Sequence, residues 1–283
     1  MIEAGAARSA TLRRGEESEL QGWLDAALGW TDEADAEAMR HFRRDLQIST
    51  KPDRSLVTQA DQGIERRLRE RILDAFPGHG LVGEEYGTES GEASVRWYID
   101  PIDGTHNFVR GVPLFGTLLA VERDGVRQVG IMSAPALRER WFARRGGGAW
   151  AKGAFDEVPR RIRVSTVRAI EDAHLLHGSG ASIERSGRAP GFRELRHEVW
   201  RERGFGDFWG YALVAEGAAE AMIEVGVNTW DLAAPEVVVE EAGGLVTDLG
   251  GASRIDNLEV LATNGVIHDE MLARLRREAS SAS

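Results

Sequence analysis

Two carboxylates lie three positions apart in the segment WYIDPIDGT, residues 97–105. The aromatic and β-branched residues before Asp100 predict a buried strand, and both acids would then meet on the turn that follows it. Unpaired like charges at such a point raise each other's pKa or destabilise the fold. A divalent cation between Asp100 and Asp103 would remove the conflict. The Ile102 carbonyl on the same turn adds an oxygen of the hard type that Mg²⁺ prefers.

The same segment also has a simpler explanation. Pro101 is expected to end the ladder pairing of the strand, and a helix is expected to begin at Gly104. Asp103 could then be the N-cap of that helix, while Asp100 is merely solvated at a strand end. For an isolated pair of aspartates, capping is the more common outcome, so the choice depends on other acids in the chain.

Acidic residues from three other segments could join this pair. Glu84 and Glu85 follow an apolar run and could reach a strand end, Asp231 lies in the first turn of a predicted helix, and Asp61 lies in an early helical turn. Each also has an ordinary structural role. These roles are a polar turn for the glutamates, an N-cap for Asp231 and a solvated first-turn acid for Asp61.

The elements that must position these acids change in type along the chain. Apolar residues at helical spacing predict one or two helices between Leu20 and Leu46 and another over residues 57–76, which ends at Pro77. Short alternating runs over residues 81–145 then predict a mostly antiparallel sheet. From about residue 160, strand-like and helix-like runs alternate, with a turn at RERGFGD, which indicates an α/β lobe.

These patterns divide the chain into a tail and two lobes that form one globular unit. We expect a disordered tail over residues 1–18, an N-terminal α+β lobe with most of the metal ligands over 19–155, and a C-terminal α/β lobe over 156–278. The C-terminal lobe would contribute Asp231 and the residues that select the substrate.

Composition excludes several kinds of partner and chemistry. The 283-residue chain has 46 acidic and 35 basic residues and a formal charge of −11, so neither nucleic acid nor an anionic membrane is an expected partner. It has no cysteine, which excludes thiolate catalysis and Cys-ligated metals. It also lacks an apolar membrane span and a signal-peptide pattern, so a cytoplasmic location is expected.

The order and spacing of three motifs, matched over residues 45–265, resemble the inositol monophosphatase superfamily of Mg²⁺-dependent phosphomonoesterases. The motifs are GEE at 83–85, DPIDGT at 100–105, and WDLAA at 230–234 followed by a helix that ends in EAGG. Together with the predicted elements, the resemblance implies an α/β (α+β) fold class. The architecture would be a layered αβαβα sandwich, with an antiparallel sheet in the first lobe and a mixed sheet in the second. It also implies a homodimer and two to three Mg²⁺ ions per subunit.

The resemblance assigns metal ligands to five positions. Glu84, Asp100, Asp103 and the Ile102 carbonyl are similar to the ligands of the first ion. The second ion would be held by Asp100, Asp103 and Asp231, and Glu84 would also reach a third, weaker ion.

The same resemblance assigns catalytic and phosphate-binding roles. Asp61 and Thr105 are similar to the pair that positions the attacking water, and Glu84 would help to orient it. Asp103 and the backbone amides of Gly104 and Thr105 would contact the phosphate. As a hypothesis, water activated by metal then attacks phosphorus directly, without a covalent enzyme intermediate.

Within the superfamily, residues 104–113 and 200–217 look like the bacterial histidinol-phosphatases. Histidinol carries an ammonium group and an imidazole, and Asp207 and Glu224 would bind them by charge-assisted hydrogen bonds. The simpler role for Asp207 is the N-cap of the following helix. The expected reaction is hydrolysis of L-histidinol phosphate in histidine biosynthesis.

Two other functions stay open at this point. One is hydrolysis of inositol 1-phosphate or another small phosphate ester by the same chemistry. The other belongs to a different class, because some members of the superfamily act as partners of the transcription machinery without needing catalysis. The intact set of carboxylates favours an enzyme, and the net charge disfavours direct RNA contact.

Overall fold

The computed structural model describes residues 14–51, 55–253 and 258–276. Part of the expected tail, residues 1–13, lies outside the described residues, whereas residues 14–18 already belong to the first helix. That helix is continuous to residue 41, so one helix stands where one or two were expected.

The described part of the chain alternates helices and short strands throughout. Its α-helices are α1 Arg14–His41, α2 Gln59–Ala75, α3 Thr105–Val109, α4 Gly180–Ile183, α5 Ala189–Glu198, α6 Asp207–Ala215, α7 Thr229–Glu241 and α8 His268–Leu275. Its strands are β1 Ile48–Thr50, β2 Leu56–Thr58, β3 Gly80–Gly83, β4 Gly87–Glu89, β5 Val95–Asp103, β6 Gly116–Arg123, β7 Val126–Ala134, β8 Glu139–Arg144, β9 Gly148–Lys152, β10 Arg160–Ile162, β11 His174–His177, β12 Arg201–Arg203, β13 Ala221–Val225, β14 Leu245–Thr247 and β15 Glu259–Thr263. A 3₁₀ turn, Ile170–Asp172, and a π-helical stretch, Glu184–Arg188, complete the described elements.

Two sheets organise these elements. The first has the order β10-β9-β8-β7-β6-β5-β3-β4 and is antiparallel except between β3 and β5. The second has the order β12-β11-β13-β15-β14 and is mixed, with β11 parallel to both of its neighbours. The β1–β2 pair forms a separate small hairpin. The predicted combination of an antiparallel and a mixed sheet is confirmed.

Among the described residues, the alternation of side chains along the strands builds three hydrophobic cores. On β5, Trp97 and Ile99 pack with α1 and α2, whereas Tyr98 points to the opposite face and packs with α6 and α7. On β13, Met222 belongs to that same middle core, and Ile223 packs on the other side with α5 and α8. The chain therefore stacks as helices, sheet, helices, sheet, helices, which confirms the predicted αβαβα sandwich.

Several short strands differ from the sequence-based prediction. β10 pairs with β9, so the first sheet extends to Ile162, beyond the lobe boundary expected at residue 155. β12 occupies part of the segment RERGFGD, where only a turn was expected. β14 follows the Gly243–Gly244 stop, where no strand was predicted. Each of these strands has three residues, too few to show a two-residue hydrophobic period.

A bulge in β5 determines where the two central aspartates point. Asp100 lies opposite Leu118 and Asp103 lies opposite Gly116, so β5 carries one more residue than its partner over this interval. Residues three apart in a regular strand face opposite sides, and the extra residue brings both carboxylates to one side. The expectation that Pro101 ends the pairing is therefore wrong, because the ladder resumes after the bulge.

Among the described residues, no helix combines the length and the apolar character needed to cross a bilayer.

Candidate active site

An open cavity of about 450 Å³ lies where the two lobes meet. It is bounded by the turn after β3, the end of β5, the N-termini of α3, α6 and α7, and the loop after β11. Every predicted site residue except Asp61 lines it, namely Glu84, Asp100, Ile102, Asp103, Gly104, Thr105, Asp207, Glu224 and Asp231. The fold thus gathers residues that are up to 147 positions apart, from Glu84 to Asp231.

Three of these acids form a tight cluster. One carboxylate oxygen from each of Asp100, Asp103 and Asp231 lies within 4.8 Å of the others. Burial, together with the surrounding acids, raises the pKa of Asp100 and of Asp103 well above the usual value. Burial also raises the pKa of Asp231, to about 6, and the charge of Glu84 acts in the same direction. We call these three residues the acid cluster.

The acid cluster fits a divalent cation. Asp100 is only 2% exposed, and its Oδ1 atom is buried without a hydrogen-bond partner. No Lys, Arg or His side chain is among the described residues that line the cavity, so no built-in cation neutralises the cluster there. Carboxylate oxygens are the ligands that Mg²⁺ prefers, and a buried carboxylate without a partner is costly. The donor set and its charge therefore match a Mg²⁺-type site.

Asp231 and Asp61 occupy equivalent places in their helices. The Asp231 Oδ2 atom accepts a hydrogen bond of 2.6 Å from the backbone N–H of Asn228, which is the N-cap of α7. Asp61 Oδ2 accepts from the backbone N–H and the hydroxyl of Thr58, the N-cap of α2, at 2.8 and 2.6 Å. Neither aspartate is itself the N-cap, because each is the third residue of its helix and reaches back to the cap.

The expectation of a solvated Asp61 is wrong. Asp61 is 0% exposed, and burial raises its pKa, with the charge of Glu84 adding to the effect. Its Oδ2 atom is taken up by Thr58, whereas Oδ1 lies 3.4 Å from the hydroxyl of Thr105. The Thr105 hydroxyl donates to the Ile102 carbonyl at 2.9 Å. Thr105 therefore stands at the cavity wall with two oxygen acceptors within reach.

Glu84 lies on the turn after β3 and contacts a lysine that sequence reasoning did not identify. Lys51 Nζ donates to Glu84 Oε1 at 2.8 Å and to Glu85 Oε1 at 2.6 Å. Burial lowers the pKa of Lys51, but the two carboxylates outweigh it and raise the pKa above the usual value. Burial raises the pKa of Glu85 to about 7. The only signal in the sequence was the rarity of lysine, since Lys51 and Lys152 are the sole examples.

The opposite wall of the cavity, from the second lobe, contains a different arrangement of acids. Glu224 accepts from the backbone N–H of Asp207 at 3.0 Å and from the Tyr211 hydroxyl at 2.7 Å. Asn107 Nδ2 donates to Asp207 Oδ2 at 3.2 Å. Burial raises the pKa of Asp207, and it raises the pKa of Glu224 to about 7. We call Asp207, Tyr211 and Glu224 the second-lobe corner.

The second-lobe corner corrects one expectation about α6. Gly206 is the N-cap of this helix, and Asp207 is its first residue, with φ at +51°. The alternative role of Asp207 as the N-cap is therefore wrong. The neighbouring Phe208 N–H donates to Asp103 Oδ2 at 2.6 Å and links the corner to the acid cluster. Tyr211 could not be recognised from the sequence as a partner of Glu224, because the two residues are 13 positions apart and lie on different elements.

Comparison with known proteins places the chain in a family. The model of the inositol monophosphatase family matches residues 19–281. A histidinol-phosphatase of Mycobacterium tuberculosis is 45% identical over 253 residues, which cover 89% of this chain and 97% of the relative. A histidinol-phosphatase of Streptomyces coelicolor is 41% identical over 87% of this chain and 94% of the relative.

The fold agrees with solved structures of the same group. The extragenic suppressor protein suhB from Bartonella henselae superposes with a TM-score of 0.83 at 30% identity, and the match covers 90% of this chain and 99% of that one. The chain belongs to the inositol monophosphatase family. The family predicted from the three motifs is thereby confirmed.

Proposed function

We propose that this protein is a phosphoric monoester hydrolase that converts L-histidinol phosphate and water into L-histidinol and phosphate, a reaction of histidine biosynthesis. The observation that carries the proposal is the pairing of two acidic sites in one cavity. The acid cluster suits the phosphate end through a cation, and the second-lobe corner suits a positively charged organic end. The names of the M. tuberculosis and S. coelicolor relatives support the same substrate.

The acid cluster would hold Mg²⁺ through Asp100, Asp103 and Asp231, with Glu84 and the Ile102 carbonyl at the same cavity. When bound, the cation offsets the charge of the phosphate dianion and lowers the pKa of water. A count of two to three ions per subunit stays a prediction, as do the homodimer and the cytoplasmic location.

Asp61 and Thr105 are suited to orient the attacking water. The Thr105 hydroxyl can accept a hydrogen bond from that water while it donates its own proton to Asp61 Oδ1, now 3.4 Å away. Asp61 is held by Thr58 on its other oxygen, so it does not need to reorganise during the reaction. The new P–O bond forms as the bond to the leaving alkoxide breaks. The attacking water gives up one proton through Thr105 to Asp61, and the alkoxide takes up one proton from solvent in the open cavity, so the two proton transfers balance.

The second-lobe corner would recognise the organic part of the substrate. An ammonium group and a protonated imidazole donate hydrogen bonds, and their positive charge favours the ionised forms of Asp207 and Glu224, which offer only acceptors. The internal donors from Tyr211 and from the Asp207 backbone fix the orientation of the Glu224 carboxylate before the substrate arrives. Inositol carries only neutral hydroxyl groups, so it gains no attraction between opposite charges at Asp207 and Glu224.

A side-by-side assay of the purified protein with Mg²⁺ tests this proposal. The esters are histidinol phosphate, inositol 1-phosphate, fructose 1,6-bisphosphate and 3′-phosphoadenosine 5′-phosphate. We expect kcat/KM for histidinol phosphate to exceed the others at least about tenfold, because one charge-assisted hydrogen bond contributes roughly 1.5–3 kcal/mol. A chelator should abolish all activity. Equal rates on the four esters would refute the substrate, and full activity after removal of divalent ions would refute the chemistry.

A further inference from the structure

A buried glutamate outside the cavity supports the turn that presents Glu84. Glu65 lies on α2 and is 0% exposed. Its Oε2 atom accepts from the backbone N–H of Glu85 at 2.7 Å, and its Oε1 atom accepts from that of Tyr86 at 3.2 Å. Both oxygens of one carboxylate are thus used to hold the backbone immediately after a predicted metal ligand.

Gly83 makes this close approach possible. A Cβ atom at Gly83 would overlap the carboxylate of Glu65, with Oε1 as the nearest atom. Any larger residue would push the carboxylate away from the turn or displace the end of β3. The glycine of the GEE motif is therefore explained by the space that Glu65 occupies.

Arg69, one helical turn further along α2, also contacts the Glu65 carboxylate. Its Nη1 atom lies 3.3 Å from Glu65 Oε1 and donates to the Gly87 carbonyl at 3.1 Å. Its Nη2 atom donates to Glu89 at 2.9 Å. Burial raises the pKa of Glu65, whereas the two backbone amides and Arg69 act to lower it. The carboxylate is held from two sides, so it has little freedom to rotate.

α2 therefore connects two parts of the site. Asp61 lies in its first turn and faces Thr105, and Glu65 lies one turn later and holds the Glu84 turn. We propose that Glu65 is a positioning residue. It fixes the position of Glu84 relative to Asp61 and thereby supports divalent-ion binding. This inference rests on the proposed function, since it assumes that Glu84 contributes to ion binding.

The test is Glu65→Gln, with Glu122→Gln as its matched control. Gln keeps the shape of the side chain but replaces one acceptor oxygen with an NH₂ group, which would then face a backbone N–H donor. Glu122 lies on β6 of the first sheet and is comparably buried; it accepts from the Tyr98 hydroxyl, pairs with Arg127 and does not line the cavity. Mg²⁺ binding is measured by calorimetry on the full-length chain, without substrate.

We expect Glu65→Gln to weaken Mg²⁺ binding by roughly 10- to 100-fold, the usual loss when a residue that orients a metal ligand is mutated. Turnover should recover at high Mg²⁺, and the KM for the phosphate ester at saturating Mg²⁺ should stay unchanged. Glu122→Gln should bind Mg²⁺ as the wild type does. A general loss of stability would not produce this split between ion affinity and substrate KM.

An unchanged Mg²⁺ affinity in folded Glu65→Gln would overturn the inference while the proposed function stands. If the wild type itself takes up no divalent ion, the proposed function fails instead. Should Glu65→Gln not fold, Arg69→Met tests the same contact from its more exposed side. It should weaken Mg²⁺ binding in the same direction and speed hydrogen exchange at the Glu85 and Tyr86 amides. Wild-type values for both measurements would again overturn the inference.

Discussion

The acid cluster and the second-lobe corner both bury carboxylates in one cavity, but they satisfy them differently. In the second-lobe corner, Glu224 has donors on both oxygens, supplied by Tyr211 and by the Asp207 backbone. In the acid cluster, Asp100 keeps a buried oxygen without a partner, although two other carboxylates lie within 4.8 Å. The second-lobe corner therefore has its donors within the chain, whereas the acid cluster requires a positive charge from outside.

This difference gives the two regions different roles: the second-lobe corner orients a carboxylate, and the acid cluster binds a cation. Internal donors hold a carboxylate in one position and prepare it to accept a substrate group of opposite charge. In the acid cluster, Asp103 and Asp231 each have one backbone donor, but repulsion among the three carboxylates and the unpartnered Asp100 oxygen favour cation uptake, because an ion relieves an existing electrostatic cost. Changes in the two regions should therefore have different consequences for stability and for catalysis.

Asp100→Asn should have the largest effect. We expect turnover to fall by about three orders of magnitude, because ion-assisted charge stabilisation contributes several kcal/mol to the transition state. The same change should raise the melting temperature of the protein in chelator, since a buried carboxylate with a raised pKa is replaced by a neutral amide. Steady-state kinetics and thermal melts measure both effects. A melting temperature that falls in chelator would contradict the comparison.

Glu224→Gln should have an intermediate effect that is confined to substrate binding. We expect the KM for histidinol phosphate to rise roughly 10- to 100-fold, from the loss of a charge-assisted hydrogen bond of about 1.5–3 kcal/mol. The affinity for Mg²⁺ should stay near that of the wild type. Kinetics with histidinol phosphate and inositol 1-phosphate, together with calorimetry of Mg²⁺, check this. An equal loss on both esters would remove the distinction between the two regions.

The pH dependence of Mg²⁺ binding should show the smallest effect. Because the folded-state pKa of Asp231 is raised to about 6, the folded protein retains a proton that the unfolded chain has already released. Stability from this proton is present below the unfolded pKa and is lost as pH rises through about 6. Mg²⁺ competes with the same proton, so its affinity should rise by about tenfold in all between about pH 5 and 7, most steeply below pH 6.

Thermal melts with Mg²⁺ and with chelator across this pH range measure that competition. The Mg²⁺-induced rise in melting temperature should grow with pH in the wild type and should be greatly reduced in Asp100→Asn. A rise that is the same at every pH would mean that protons and ions do not share the acid cluster.

Long periodic segments of this fold could be predicted from the sequence, whereas its shortest strands could not. The apolar spacing of α2 and the alternation along β6 and β7 each extend over enough residues to define a period. β10 has three residues, of which only Ile162 is buried, so its place at the sheet edge follows from pairing with β9 rather than from a local pattern.

The residues of the candidate site also fall into two groups, those that could be predicted from the sequence and those that could not. Asp100, Asp103 and Asp231 could be proposed from motif types and order, and the structure brings them together. Lys51, Glu65 and Tyr211 were missed, because each acts through a partner that is between 13 and 34 positions away. No spacing rule within one element predicts such contacts.

The amino-acid sequence defines the chemical types available to this protein: its acids, their order along the chain, and the helices and sheets that carry them. Which of these acids have internal donors depends instead on contacts between distant segments. The β5 bulge brings Asp100 and Asp103 to one side of the sheet, and α6 packs beside them and forms one wall of the cavity. Burial and distance set the cost of a charge, and both arise only when distant segments come into contact.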